Sequence, residues 1–313
     1  MTSSYRLKRC LPLAAASAAL FIASFFFGAF ESKAQLAVSM ALSRRGYLVY
    51  ENIEAKVYFR NLSGRPLVFG ENPKLRGTLT FEVIGPDGKR RKLLDKKIAQ
   101  SLLANIVLNA GATDAVVAPV SRMYDLSKPG NYTIHAVITH PLLKTAYKSA
   151  DTGFSVFNGI TEWKRLLGVP DVLNENKDKK VETRLARIIS FYDGKRKLYA
   201  LEIEDDKFVY CVHRLVQNVE GGLPVCMVDG LSRIHVFAQT GAKIFAYYVY
   251  DINGKLQKRK IFKKGEDVNP RVVRDAQTGL ITVVGGEEAV LGEDYDEENV
   301  NPFFQDDLGG KRN

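Results

Sequence analysis

The sequence predicts an all-β chain built from two units, and three observations carry that prediction. Ile53, Ala55, Val57 and Phe59 alternate with Glu54, Lys56, Tyr58 and Arg60, the period-two pattern of a strand with one buried face. Turn signals recur between such runs, among them Pro86-Asp87-Gly88 and Asn253-Gly254, and Asn-Gly between alternating apolar residues is a strong hairpin sign. The chain also matches itself when slid by 46 residues, which points to a repeat-built second unit.

The leader comes first. Arg6, Lys8 and Arg9 precede an uncharged run from Cys10 to Phe30, and Ser32-Lys33-Ala34 sets small residues at the −3 and −1 positions of a cleavage site. Residues 1–34 are therefore expected to be a secretory signal peptide, with an exported mature chain beginning near Gln35. The rival reading is an uncleaved anchor, because an uncharged run of this length could cross a bilayer core of ~30 Å. In both cases the Lys/Arg excess stays on the cytoplasmic side and the body faces outward. Cys10 precedes the apolar run, so no lipid anchor is implied.

The rest is long enough for two domains. The net charge of +10 hides an asymmetry: from Glu287 onward nine acids face only Lys311 and Arg312, so that segment carries −7 and the remainder +17. Outside a cell, a body this basic meets lipid head groups, acidic glycans and acidic proteins rather than nucleic acid. Surplus lysines that only keep the protein soluble are the plain alternative.

Residues 35–157 read as an antiparallel β-sandwich. Leu79, Phe81 and Val83 alternate, and Pro86-Asp87-Gly88 turns the chain toward Lys89-Arg90-Arg91-Lys92 as a hairpin. Asp125-Leu126-Ser127-Lys128-Pro129-Gly130-Asn131-Tyr132 then feeds the alternation Tyr132, Ile134, Ala136, Ile138. This resembles bacterial immunoglobulin-like sandwiches, in which a Pro-Gly turn leads into a strand whose tyrosine pins the corner. The resemblance implies a fold and leaves function open. The cysteine pair and core tryptophan of antibody domains are lacking.

Residues 158–180 are expected to form a helical linker, with Thr161 as N-cap, Gly168 as terminator and Trp163 wedged between the domains. Residues 181–286 carry the repeat. Leu185-Ala186-Arg187-Ile188 aligns with Leu231-Ser232-Arg233-Ile234, Lys197-Leu198-Tyr199-Ala200 with Lys243-Ile244-Phe245-Ala246, Asp205 with Asp251, Pro224 with Pro270 and Asp229 with Asp275. The second copy divides into strands near 231–238, 243–251, 255–263 and 270–275, and Leu280–Gly286 begins a third copy. A four-stranded period of this length resembles a β-propeller blade, but two copies are too few to close a ring, for which about four are needed. The expectation is an open, blade-like pile of sheets; blades shared among several chains are the alternative.

No reaction motif is present, and no catalytic, cofactor-binding or metal-ligating residue is assigned. The four histidines, 135, 140, 213 and 235, have no metal-ligand spacing, and each reads as an ordinary strand residue. Asp229 and Asp275 read as turn residues. Cys211 and Cys226 flank the turn Asn218–Gly222, and a hairpin folded there is expected to bring them together as a disulfide. Lys255, Lys258, Arg259, Lys260, Lys263 and Lys264 make one strand a candidate anion-binding surface. Residues 287–313 are expected to be a disordered acidic tail that folds back onto that strand, with Phe303 and Phe304 as a candidate docking peptide. The leading expectation is an exported, non-catalytic binding or scaffolding protein of the cell envelope, without a cofactor. Its partner would be an envelope protein or an anionic glycan or lipid surface. A glycan-acting enzyme or its accessory subunit, and a protease-inhibitor-like sandwich, are the alternatives.

Overall fold

A computed structural model describes residues 35–170 and 182–300, except 195, 218, 220, 221 and 267. The leader, Phe303 and Phe304 lie outside the described residues. The first ten strands are β1 (Leu36–Leu42), β2 (Gly46–Leu48), β3 (Glu54–Asn61), β4 (Leu67–Phe69), β5 (Thr78–Ile84), β6 (Ile106–Leu108), β7 (Thr113–Pro119), β8 (Gly130–Thr139), β9 (Tyr147–Lys148) and β10 (Thr152–Phe157). They form a sandwich: one sheet runs β1-β3-β7, the other β2-β10-β8-β5 with β9 beside β8, and β4 pairs with β6.

The alternation read from the sequence sets the core. Ala55, Val57 and Phe59 of β3 face Leu79, Phe81 and Val83 of β5 across one buried cluster with Tyr132, Ile134, Ala136 and Ile138 of β8. Tyr132 pins its corner by donating a hydrogen bond from Oη to the Lys128 carbonyl at 2.7 Å. A second pin lies at Tyr124, whose Oη donates to the Phe81 carbonyl at 2.7 Å and accepts from the Phe81 N–H at 2.8 Å. After Pro86-Asp87-Gly88 the returning chain makes a single bridge, Ile84 to Arg90, and not the full hairpin expected.

The remaining strands are β11 (Ile160–Gly168), β12 (Thr183–Tyr192), β13 (Lys197–Glu204), β14 (Val209–Gln217), β15 (Val225–Val228), β16 (Ile234–Gln239), β17 (Ile244–Tyr250), β18 (Leu256–Lys263), β19 (Arg271–Arg274), β20 (Ile281–Val284) and β21 (Glu287–Glu288). They make a four-stranded sheet β11-β12-β13-β14, a five-stranded sheet β15-β16-β17-β18-β21 and a hairpin β19-β20.

The expected linker helix is a strand. β11 pairs antiparallel with β12 over its whole length, with a bulge at Thr161 to Trp163. In this extended form Leu167 is buried and Leu166 is 64% exposed, because successive side chains of a strand point to opposite faces. Trp163 consequently packs on the core between the two large sheets and does not wedge the sandwich against them.

The layers stack in chain order. Leu48 of the sandwich packs on Ile189, Phe191, Leu198 and Ala200 of the first sheet. That sheet's other face, with Ile188, Tyr199, Leu201 and Ile203, meets Ile234, Val236, Ala246 and Tyr248 of the second. The second sheet's far face, with Phe237, Phe245, Tyr247 and Val249, meets Val272, Ile281 and Val283 of the hairpin. Both large sheets are thus buried on two faces, which explains why β13 and β17 read as continuous apolar runs.

The repeat is structural in order but not in every register. β12, β13 and β14 hold the same sheet positions as β16, β17 and β18. Ile188 pairs with Leu201, so a strict 46-residue copy would pair Ile234 with Tyr247; it pairs with Tyr250 instead, three residues further on. An odd slip turns a strand's side chains to the opposite face, and Ile188 and Ile234 accordingly meet in one cluster. The Leu185–Ile188 match to Leu231–Ile234 is therefore coincidental: Leu231 and Ser232 sit in a turn, where Ser232 has φ 58°. The segment assigned as a fourth strand near 270–275 pairs with β20 and not with β18, so each large sheet takes its first strand from the stretch preceding its own copy of the repeat, β11 before the first copy and β15 before the second.

Candidate functional site

The fourth strand of each large sheet carries cations that bind carboxylates from elsewhere in the chain. On β14, Arg214 reaches into the sandwich: its Nε donates to Glu51 Oε1 at 2.7 Å, and its Nη2 donates to Glu51 Oε2 at 3.0 Å and to the Gly46 carbonyl at 2.7 Å. Arg44 Nη1 adds a bond to Glu51 Oε1 at 2.6 Å. The side chains of Arg214 and Glu51 are 5% and 6% exposed, and the Arg214 guanidinium lies over the Phe191 ring. Sequence reading missed this junction, because nothing in the local pattern pairs residues so far apart. Beside it, a cavity of about 260 Å³ is lined in part by Tyr50, Glu51, Ser121, Asp125 and Ser127. Tyr50 holds a left-handed φ of 64° there.

On β18 the candidate anion-binding residues divide. Arg259 makes a two-pronged pair with Glu297, both bonds at 2.9 Å. Lys260 binds Glu288 at 2.5 Å, and Lys263 binds Asp294 at 2.9 Å and Glu287 at 3.6 Å. Lys255, Lys258 and Lys264 are exposed and have no ion pair among the described residues. The partners all come from the segment expected to be disordered. Residues 287–300 instead form a strap: β21 adds to β18 through Phe262–Glu288 and Lys263–Glu287, and a one-turn helix, Glu297–Val300, buries Val300 in the core between the sheets. Apolar anchorage by Val300 and main-chain pairing offset the ordering entropy that acidic composition alone would leave unmet.

The electrostatics of the strap follow from these contacts. The hydrogen bond from Lys263 to Asp294 raises the ammonium above the usual lysine range. The Val290 N–H and then Lys263 hold Asp294 below the usual carboxylate range.

The two cysteines are apart in the fold. Cys211 lies on β14 opposite Ile203 and Cys226 on β15 opposite Val236, in different sheets, and both are free thiols. The hairpin argument fails because β14 and β15 pair with β13 and β16 and not with each other. Burial pushes each thiol up to about 12, so both behave as core side chains. Gly254, at φ +81°, packs directly on Cys211 and ties the β17–β18 turn to the first sheet.

The repeated aspartates cap turns. Asp205 and Asp251 each accept two backbone N–H bonds in equivalent hairpins, and Asp229 and Asp275 do the same after β15 and β19. Asp229 does more than its sequence position suggests. Its carboxylate also meets His235 Nε2 at 3.2 Å, and His235 Nδ1 meets Tyr247 Oη at 2.6 Å. Both ring nitrogens are engaged and burial lowers the His235 pKa; Tyr247, its partner, also lies in the cluster that meets the β19–β20 hairpin.

No family model and no curated protein matches the chain. Among solved structures it is similar to the Pseudomonas fluorescens alkylpurine DNA glycosylase AlkC bound to DNA, at 14% identity and TM-score 0.25, over 43% of this chain and 33% of that one. It is similar to a family 123 glycoside hydrolase from Clostridium perfringens at 13% identity and TM-score 0.26, over 41% of this chain and 28% of that one. The chain thus spans about a third or less of the length of these two. The YadV chaperone is similar at 8% identity and TM-score 0.22, over 72% of this chain and 98% of that one. Likenesses this weak carry no argument about activity.

Proposed function

We propose that the protein is an exported, non-catalytic binding and scaffolding protein of the cell envelope, and that β18 is its surface for anionic glycan or lipid head groups. The observation that supports this reading is the strap: a basic strand is occupied by acids of the same chain, through contacts more open to water than the Glu51–Arg214 joint. Export rests on the leader, whose basic start, apolar run and small-x-small site fit a signal peptide. Single exposed ion pairs contribute ~0.2–1 kcal/mol, but a tethered segment presents several at ~millimolar effective concentration. The strap therefore holds β18 against weak, nonspecific anions and yields to a dense anionic surface.

Binding to vesicles with and without anionic lipid, and to an acidic polysaccharide, tests this at low and high salt. A chain ended after Gly286, and a full chain carrying Glu288→Gln, Asp294→Asn and Glu297→Gln, should both bind more tightly than the parent at low ionic strength. The gain should vanish at high salt. Equal binding by parent and variants would refute the reading.

A further inference from the structure

The β19–β20 hairpin is an unfinished sheet. Both preceding sheets run through four consecutive strands in the same order, whereas the hairpin supplies counterparts of β15 and β16 only. Among the described residues no strand pairs with the outer edge of β20. The direction of that edge follows from the turn. The Asp275 N–H donates to the Leu280 carbonyl at 2.8 Å, and register then runs Arg274–Ile281, Val273–Thr282, Val272–Val283 and Arg271–Val284. Hydrogen-bonded and non-bonded pairs alternate along an antiparallel ribbon. The main-chain groups of Ile281 and Val283 therefore point outward, away from β19, while their side chains pack on the second sheet.

We propose that this edge pairs with the same edge of a second copy of the chain, so that two hairpins make one four-stranded sheet. The geometry gives the register. A two-fold axis at Thr282 sets Ile281 of each copy opposite Val283 of the other, using all four outward main-chain groups, and sets Leu280 opposite Val284. Those two side chains are 63% and 37% exposed, and the pairing covers them. Charge agrees with self-association: Leu280 to Val284 contains no charged residue, so identical edges meet without repulsion. The outer edge of the second sheet is managed differently, by lysines and the β21 strap. Two residue pairs make a contact at the small end of protein interfaces, and the dimer should be concentration-dependent. The inference stands apart from the role proposed for β18.

Cross-linking provides the test. At the axis, two Thr282 residues form a non-bonded pair with Cα atoms ~4.5 Å apart, within disulfide reach. In the full chain with Cys10→Ser, Thr282→Cys should give a covalent dimer under mild oxidant, several-fold more than an exposed control, Lys74→Cys. Adding Leu280→Lys and Val284→Lys should abolish the excess, because each new lysine faces another. Replacing that pair by Leu280→Glu and Val284→Lys should restore it, because opposite charges then meet. Thr282→Cys linking no better than the control would overturn the proposal, and so would loss of linking in both charge variants. A parent chain that sediments as a monomer at every concentration would also overturn it.

Discussion

β14 and β18 occupy the same place in two copies of one repeat, and both use cations to bind carboxylates from elsewhere in the chain, yet the two contacts differ in kind. The β14 contact is buried: Arg214 and Glu51 are nearly sealed from water, and Arg44 completes the charge cluster. The β18 contact is more open: Arg259, Lys260 and Lys263 are 27%, 36% and 33% exposed, and their partners Glu297, Glu288 and Asp294 are 19%, 57% and 17% exposed. A buried pair is screened little by salt and is costly to break, because removing one partner leaves an uncompensated charge. A partly exposed set is weak singly and exchangeable. The same strand position thus makes a fixed joint in one sheet and a displaceable cover in the other.

The largest effect expected is at the joint. Glu51→Gln removes the buried carboxylate that two arginines share and should lower stability by ~3–5 kcal/mol, read by urea denaturation of the full chain; a loss below ~1 kcal/mol, the size of a surface pair, would erase the contrast. Next comes the cover, where Asp294→Asn with Glu297→Gln should leave the urea midpoint nearly unchanged while raising the susceptibility of residues 287–300 to protease. A third expectation concerns pH. Asp294 has a lowered folded pKa, so its contribution is present above the unfolded value and lost as pH falls through the folded one. Lys263 has a raised pKa, so its share persists below its unfolded value and is lost above the folded one. Strap retention should therefore be flat from about pH 5 to about pH 9, and a midpoint near neutrality in protease protection would contradict these pairings. The smallest effect is Lys260→Ala, whose partner Glu288 is itself 57% exposed; it should change strap protection by only a few tenths of a kcal/mol.

How much of this was legible in the sequence depends on the range of the determining contact. Alternation at Ile53–Arg60 and at Tyr132–Ile138 fixes strand faces locally, and those strands formed as read. The 46-residue period located β13, β17, β15 and β19, because turn aspartates such as Asp205 and Asp251 repeat with the hairpins that they cap. It misplaced β16, since register there is set by packing between sheets, which spacing does not record. Residues 160–168 carry helix-like caps, but the open edge of β12 recruited them as a strand, a tertiary demand overriding local preference. The disulfide expectation failed for a related reason: a turn between two strands makes a hairpin only if those strands pair with each other. The charge asymmetry indicated that acids would return to β18. It gave no sign that Val300 would anchor them, and no sign at all of the Glu51–Arg214 joint.

Hydrogen exchange of the full chain across a salt titration tests the contrast between joint and cover most directly. The account predicts that amide protection in residues 287–300 falls steadily as ionic strength rises, while protection around Leu48–Glu51 and Val212–Arg214 stays constant. Protection lost together in both segments, or a strap indifferent to salt, would contradict it.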